Sequence, residues 1–105
     1  MPDEIVTRLD PHAGTTTLAL LGEVDVLTVD QVRAALEEAL AGRPREIVVD
    51  LSDLDFIDST GLGALIFGFQ RARDASIGFR LAHPKRSVHQ ILVLSGVLEV
   101  VQLTP

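Results

Sequence analysis

The chain of 105 residues is long enough for one domain with one core, and its 47% hydrophobic content excludes a disordered chain. A net charge of −6 disfavours nucleic acid or an anionic membrane as a partner and permits a basic protein partner. The absence of cysteine excludes disulfides and cysteine-ligated zinc, no apolar run is long enough to span a membrane, and residues 1–4 lack the form of a signal peptide. We therefore expect a single cytoplasmic domain over residues 1–105.

The first predicted elements are a hairpin and a helix. Residues 5–9 and 15–21 are apolar and β-branched, as in strands, and residues 11–14 form the turn between them. The helix starts at Thr28, because Thr28 and Gln31 have the spacing of a capping box. It ends at residues 42–44, which are Gly-Arg-Pro.

The rest of the chain alternates strands with helices. Residues 47–51 are nearly all apolar, which is typical of a central parallel strand covered on both faces. An acidic connection over residues 52–57 follows, and the remaining predictions are a helix over 60–73, a strand over 77–82, a helix over 84–94 and a strand over 98–103. This order predicts an α/β fold with a mixed, mainly parallel sheet that begins with an N-terminal hairpin.

Ser59 is the first candidate functional residue, because it lies where the strand over 47–51 and its connection lead into a helix. The free backbone N–H groups and the positive dipole end of a helix start favour a phosphate there. The alternative is an ordinary serine that caps the helix. The chain has no P-loop and no glycine-rich loop followed by a lysine, so phosphorylation of Ser59 requires a separate kinase.

Acidic side chains follow two strands that we expect to be parallel. Glu23 and Asp25 follow the second predicted strand, and Asp58 precedes Ser59. Loops after parallel strands meet at one edge of a sheet, so these acids form a rim around Ser59. The rim is either a docking edge for a basic partner or an ordinary solvated loop. Asp58 is either a solvated acid or a group that orients the serine or is recognised by the kinase.

Two glycines and one phenylalanine of the predicted second helix are unusual. Gly61 and Gly63 each disfavour a helix by about 1 kcal/mol relative to alanine, which indicates close approach by another strand or by a partner. For Gly61 we expect a partner. Phe67 lies away from the apolar stripe, so it is either an interface anchor or is buried under another element. The stripe comprises Leu62, Leu65, Ile66 and Phe69.

Three other chemistries fit the residues poorly. A serine hydrolase would have glycine two positions before its nucleophile, where this chain has Ile57. A receiver domain needs a lysine near its last strand, and the one lysine, Lys85, is at the start of a predicted helix. The aspartates between residues 53 and 58 lack the glycine and spacing of a calcium loop. We expect no enzymatic activity, no cofactor and no metal.

Two motifs resemble the STAS family (sulfate transporter and anti-sigma factor antagonist). Asp58-Ser59-Thr60-Gly61-Leu62-Gly63, preceded by Asp50-Leu51-Ser52, resembles the D-S-[ST]-G-L-G signature of the anti-sigma factor antagonists. Gly22-Glu23-Val24-Asp25 is similar to the G-E-[LV]-D that precedes the family's first helix. The resemblance extends over residues 5–103 and implies a STAS-like domain. The family usually adds a helix after its last strand, and we expect this domain to lack that C-terminal helix.

The resemblance implies a partner-switching function. The unphosphorylated protein would bind an anti-sigma factor that is itself a serine kinase, and so free a sigma factor. Phosphorylation at Ser59, the first hydroxyl of the pair, would end that binding, and a phosphatase would restore it. The alternative is a STAS module of a transporter or of a stress-signalling scaffold. We expect the partner surface to include Glu23, Asp25, Asp58, Ser59, Thr60, Gly61, Gly63 and Phe67.

Overall fold

The computed structural model describes residues 4–104, without the side chains of residues 10–12. Strands and helices alternate after an initial hairpin, as predicted. The elements are β1 (Val6–His12), β2 (Thr15–Val24), α1 (Val29–Ala41), β3 (Glu46–Ile57), α2 (Ser59–Asp74), β4 (Gly78–Ala82), α3 (Arg86–Ser95), a 3-10 helix (Val97–Glu99) and β5 (Gln102–Thr104).

The five strands form one sheet in the order β1-β2-β3-β4-β5. β1 pairs antiparallel with β2, and the other three pairs are parallel, which confirms the mixed, mainly parallel sheet. Ala13 and Gly14 join β1 to β2 with φ of 53° and 83°, and the two positive φ values suit the twist of a two-residue hairpin. The carboxyl ends of β2 and β3 therefore lie side by side at one edge of the sheet.

β2 and β3 are longer than predicted. Residues 52–57, expected as an acidic connection, continue β3 and pair with the end of β2, where Glu23 lies opposite Phe56 and Val24 opposite Ile57. β4 pairs with β3 only as far as Asp50, so beyond that residue β3 has one neighbouring strand. That half-covered end tolerates exposed acids in a strand, which is why the acidic composition was misleading.

α2 packs through small residues. Gly68 lies against α1 and β4: a β-carbon there would be 3.0 Å from Leu36 Cδ2 and 3.3 Å from Phe79 Cε2. Ile66 and Phe69, predicted in the buried stripe, are only partly buried. The predicted stripe contains only large side chains, whereas four of the six buried residues of α2 are glycine or alanine. The buried residues are Gly61, Leu62, Ala64, Leu65, Gly68 and Ala72.

The predicted capping box at α1 is wrong. Thr28 is the N-cap, but its hydroxyl makes no capping hydrogen bond to the helix. Gln31 does not reach back to Thr28: its Oε1 accepts a hydrogen bond from the Ile5 N–H at 2.9 Å. The amide side chain is thus used to attach the start of the chain to α1.

The C-terminal elements begin later than predicted. α3 starts at Arg86, with Lys85 as N-cap, rather than at Pro84. Gly96, with φ of 81°, ends α3 in the left-handed conformation that favours glycine. The chain then makes a 3-10 helix, in which Val97 is buried. β5 therefore has only three residues, Gln102–Thr104, and shares only residues 102 and 103 with the strand predicted over 98–103.

The serine at the start of the second helix

Asp58 builds the start of α2. It is the N-cap, with extended backbone, and its Oδ1 accepts a hydrogen bond from the Gly61 N–H at 3.0 Å. Its own N–H donates to the Val24 carbonyl at 3.1 Å, which attaches the helix start to the end of β2. The capping residue is therefore Asp58, and the alternative of Ser59 as the cap is wrong.

Ser59 is the first residue of α2, and it is exposed. Two of the four N–H groups at the helix start are satisfied, those of Asp58 and Gly61. Within the described residues, the N–H groups of Ser59 and Thr60 and the Ser59 hydroxyl have no hydrogen-bond partner. Two free donors at the positive end of the helix dipole lie beside an accessible hydroxyl, an arrangement that can hold a phosphate.

Asp25 organises the loop between β2 and α1. Its Oδ1 accepts a hydrogen bond from the Leu27 N–H at 2.9 Å, and its carbonyl accepts from the Thr28 N–H at 3.1 Å. The Thr28 hydroxyl accepts from the Asp25 N–H at 3.0 Å and donates to the Glu23 carbonyl at 2.9 Å. Asp25 thus has a structural function inside the loop, whereas Glu23 is exposed.

The structure brings the predicted acids and the serine to one edge of the sheet. The Asp58–Val24 hydrogen bond connects the end of β2, with Glu23 in the strand and Asp25 just after it, to the helix start that carries Asp58 and Ser59. Lys85 donates to the Asp55 carboxylate at 2.5 Å, and mainly this hydrogen bond raises the pKa of Lys85. That ion pair attaches the start of α3 to the end of β3.

Gly61 and Gly63 have different surroundings. A β-carbon on Gly61 would lie 2.6 Å from Ile57 Cγ1 and 2.7 Å from Val24 Cγ1, so α2 meets the sheet at this glycine. The expectation that partner access explains Gly61 is wrong, because buried side chains of the domain occupy that space. Gly63 is exposed, and a β-carbon there would meet nothing within 4 Å.

Phe67 is half-buried, so it is neither a core residue nor a fully exposed one. It lies one helical turn after Gly63, and the Arg71 guanidinium lies over its ring, 5.4 Å from the centroid. Thr60, on the same side of α2, is also half-buried. Ala64, on the same side, is buried, so this side of α2 also packs against the domain, which the apolar stripe did not predict.

Sequence reasoning missed three exposed apolar residues at this edge. Val26 is 71% exposed, Leu27 77% and Phe56 43%. Their signal in the sequence was an apolar pair inside a loop and an aromatic residue in an acidic segment. Among the described residues, no group of three or more His, Cys, Asp or Glu side chains could hold a metal ion. No helix in that part of the chain is long and apolar enough to cross a membrane.

The fold and this site define a small α/β regulatory domain of the STAS type. The sequence profile of the STAS domain matches residues 6–105, and the chain belongs to that family. The anti-sigma F factor antagonist of Paenibacillus polymyxa is 30% identical over 97 residues, which cover 91% of this chain and 83% of that protein.

Solved structures share the whole fold. An anti-sigma factor antagonist from Mycobacterium paratuberculosis has a TM-score of 0.86 at 25% identity, over 99% of this chain and 89% of that one. The antagonist SpoIIAA in its unphosphorylated form has a TM-score of 0.79 at 22% identity, over 95% of this chain and 88% of that one. The second likeness is one of fold alone.

Proposed function

We propose that this protein is an anti-sigma factor antagonist controlled by phosphorylation of Ser59. Unphosphorylated, it binds an anti-sigma factor with serine kinase activity and so releases a sigma factor. Phosphorylated by that kinase, it dissociates, and a phosphatase restores it. It acts by binding, without catalysis of its own. The observation that carries this proposal is the exposed Ser59 hydroxyl beside two free helix-start N–H groups.

The named relatives support the antagonist part of the proposal. The protein from Paenibacillus polymyxa and one from Lysinibacillus sphaericus, 33% identical over 96 residues, are both named anti-sigma F factor antagonists. The position of Ser59 supports the switch part. A kinase must reach the acceptor hydroxyl, and an exposed residue at the first position of a helix is reachable without unfolding.

The test is displacement of the sigma factor. A fluorescently labelled sigma factor is first bound to the purified anti-sigma factor kinase of the source organism, and the unphosphorylated chain is then added. We expect the anisotropy of the label to fall as the sigma factor is released. Unchanged anisotropy at an excess of the chain, with each such kinase of the organism, would contradict the proposed function.

Phe67 is proposed as part of the partner surface. Phe67→Ala should weaken binding to the anti-sigma factor by at least ~1 kcal/mol, about fivefold in Kd, because a half-buried ring one turn from Gly63 can complete its burial against a partner. Isothermal titration calorimetry measures the Kd, and thermal unfolding measures the stability. A variant that unfolds instead would show that the half-buried ring stabilises the fold rather than the complex.

Phe69→Ala is the matched control for this substitution. Phe69 lies two residues further along α2 and packs edge-on against Phe79, with ring centroids 6.3 Å apart. Its loss should lower the free energy of unfolding while the folded fraction binds the partner normally. Equal effects of both substitutions on binding and on stability would argue against a specific function of Phe67.

A further inference from the structure

An apolar tip lies beside the serine. Val26 and Leu27, here called the apolar tip, are 71% and 77% exposed at the centre of the turn over residues 25–28. Single exposed apolar residues are ordinary, but two adjacent ones at the end of a loop are less so. They contribute little to the core of this domain, so packing within the domain does not explain them.

The apolar tip is held rigidly. The turn is closed by the hydrogen bond from the Thr28 N–H to the Asp25 carbonyl, and the Asp25 carboxylate accepts the Leu27 N–H. The Thr28 hydroxyl connects the turn to the Glu23 carbonyl. A surface that is already ordered loses little conformational entropy on binding, which favours its use as an anchor.

The apolar tip is close to the switch residue. Val24 is two residues before Val26, and its carbonyl accepts the N–H of Asp58, the residue before Ser59. Two residues of extended chain span at most about 7 Å, so the backbone of Val26 lies within that distance of Val24. A partner that covers the Ser59 hydroxyl therefore also reaches the apolar tip.

The surroundings of the apolar tip are acidic. Residues 22–32 and 52–67, which include this edge and the first turns of α1 and α2, each contain three acidic residues and no lysine or arginine. Among the described residues, Lys85 is the one cation paired with an acid of these segments, and it binds Asp55. A second copy of this chain would bring the same acidic edge against this one in a two-fold dimer, which like charges disfavour. The charge favours a different protein with a basic surface.

We propose that the apolar tip is the docking anchor for the anti-sigma factor, and that it enters an apolar pocket bordered by arginine or lysine side chains on that partner. This inference rests on the proposed function and adds a division of roles to it. The apolar tip supplies affinity in both phosphorylation states, the acidic rim supplies orientation and association rate, and Ser59 supplies the control.

The test uses the full chain and the purified serine-kinase anti-sigma factor of the source organism. The double variant Val26→Ser/Leu27→Ser should raise the Kd at least tenfold. It should keep a melting temperature within about 4 °C of the wild type, because both side chains are exposed. Leu94→Ser is the matched control, since Leu94 is 87% exposed on α3 and is expected to leave the Kd unchanged. Binding of the wild type should weaken as salt is raised.

The outcomes separate this inference from the proposed function. If the wild type binds and Ser59→Glu weakens binding, but the double variant binds like the wild type, the docking inference is overturned and the proposed function stands. If Leu94→Ser weakens binding and the double variant does not, the anchor is on α3 and the inference is likewise overturned. If no serine-kinase anti-sigma factor of the organism binds the wild type, both the proposed function and the docking inference are overturned.

Discussion

Phosphorylation of Ser59 is expected to weaken binding of the anti-sigma factor by more than 100-fold, and Ser59→Glu is expected to fold but bind poorly. A phosphate adds a charge of about −1.5 to −2 to an edge that already carries Glu23 and Asp58. The free N–H groups of Ser59 and Thr60 can accommodate that charge, so the fold survives. A partner packed over a neutral hydroxyl would have to desolvate a dianion, and a loss of about 3 kcal/mol is a factor above 100 in Kd.

The binding measurement is calorimetry with three variants and one control. Ser59→Ala should bind with the affinity of the unphosphorylated wild type and should remain active in the presence of kinase and ATP. Gln70→Glu adds one negative charge to an exposed position further along α2, and it should leave the Kd unchanged. Thr60→Ala should still respond to the kinase. A Ser59→Glu variant that binds as tightly as the wild type would refute the switch.

Gly61→Ala is expected to lower the free energy of unfolding by about 1–3 kcal/mol, although alanine is the better helix former. The added β-carbon would lie 2.6 Å from Ile57 Cγ1 and 2.7 Å from Val24 Cγ1, closer than such atoms approach in folded proteins. Ile57 and Val24 are 1% and 0% exposed and cannot move into solvent, so α2 must move away from the sheet. Urea denaturation of the purified variant measures the loss.

Gly63→Ala is the matched control, two residues along the same helix. No atom lies within 4 Å of its added β-carbon, so the helix preference of alanine should act alone and raise the free energy of unfolding by up to about 1 kcal/mol. If partner contact explains the absence of a side chain at this position, Gly63→Ala will weaken binding without loss of stability. Equal stabilities of Gly61→Ala and Gly63→Ala would show that the close packing at Gly61 is not required.

The order of strands and helices could be predicted from the sequence because hydrophobic periodicity is local. The hairpin, the central apolar strand over 47–51 and the second helix each have their own pattern within a few residues. The extension of β3 to Ile57 could not be predicted in the same way. It depends on pairing with the end of β2, about thirty residues earlier in the chain. It also depends on the fact that β4 pairs with β3 only as far as Asp50.

The location of the site could be predicted from the sequence better than the contacts of its side chains. Alternation of strands and helices was enough to bring Glu23, Asp58 and Ser59 to one edge of the sheet. The sequence could not decide whether Asp58 or Ser59 caps the helix, because both residue types cap helices and the two residues are adjacent. Gly61 signalled close approach, but the identity of its neighbours depends on how α2 lies on β2 and β3.

The most direct test of the account is to map the phosphate after incubation with the anti-sigma factor kinase and Mg-ATP. We predict a single phosphate on Ser59 by peptide mass spectrometry, none on Ser59→Ala and a normal level on Thr60→Ala. The chain alone with Mg-ATP should gain no phosphate, because it has no P-loop and no glycine-rich loop followed by a lysine to hold ATP. Kinase-dependent phosphate on Thr60 or elsewhere, with Ser59 unmodified, would contradict the account.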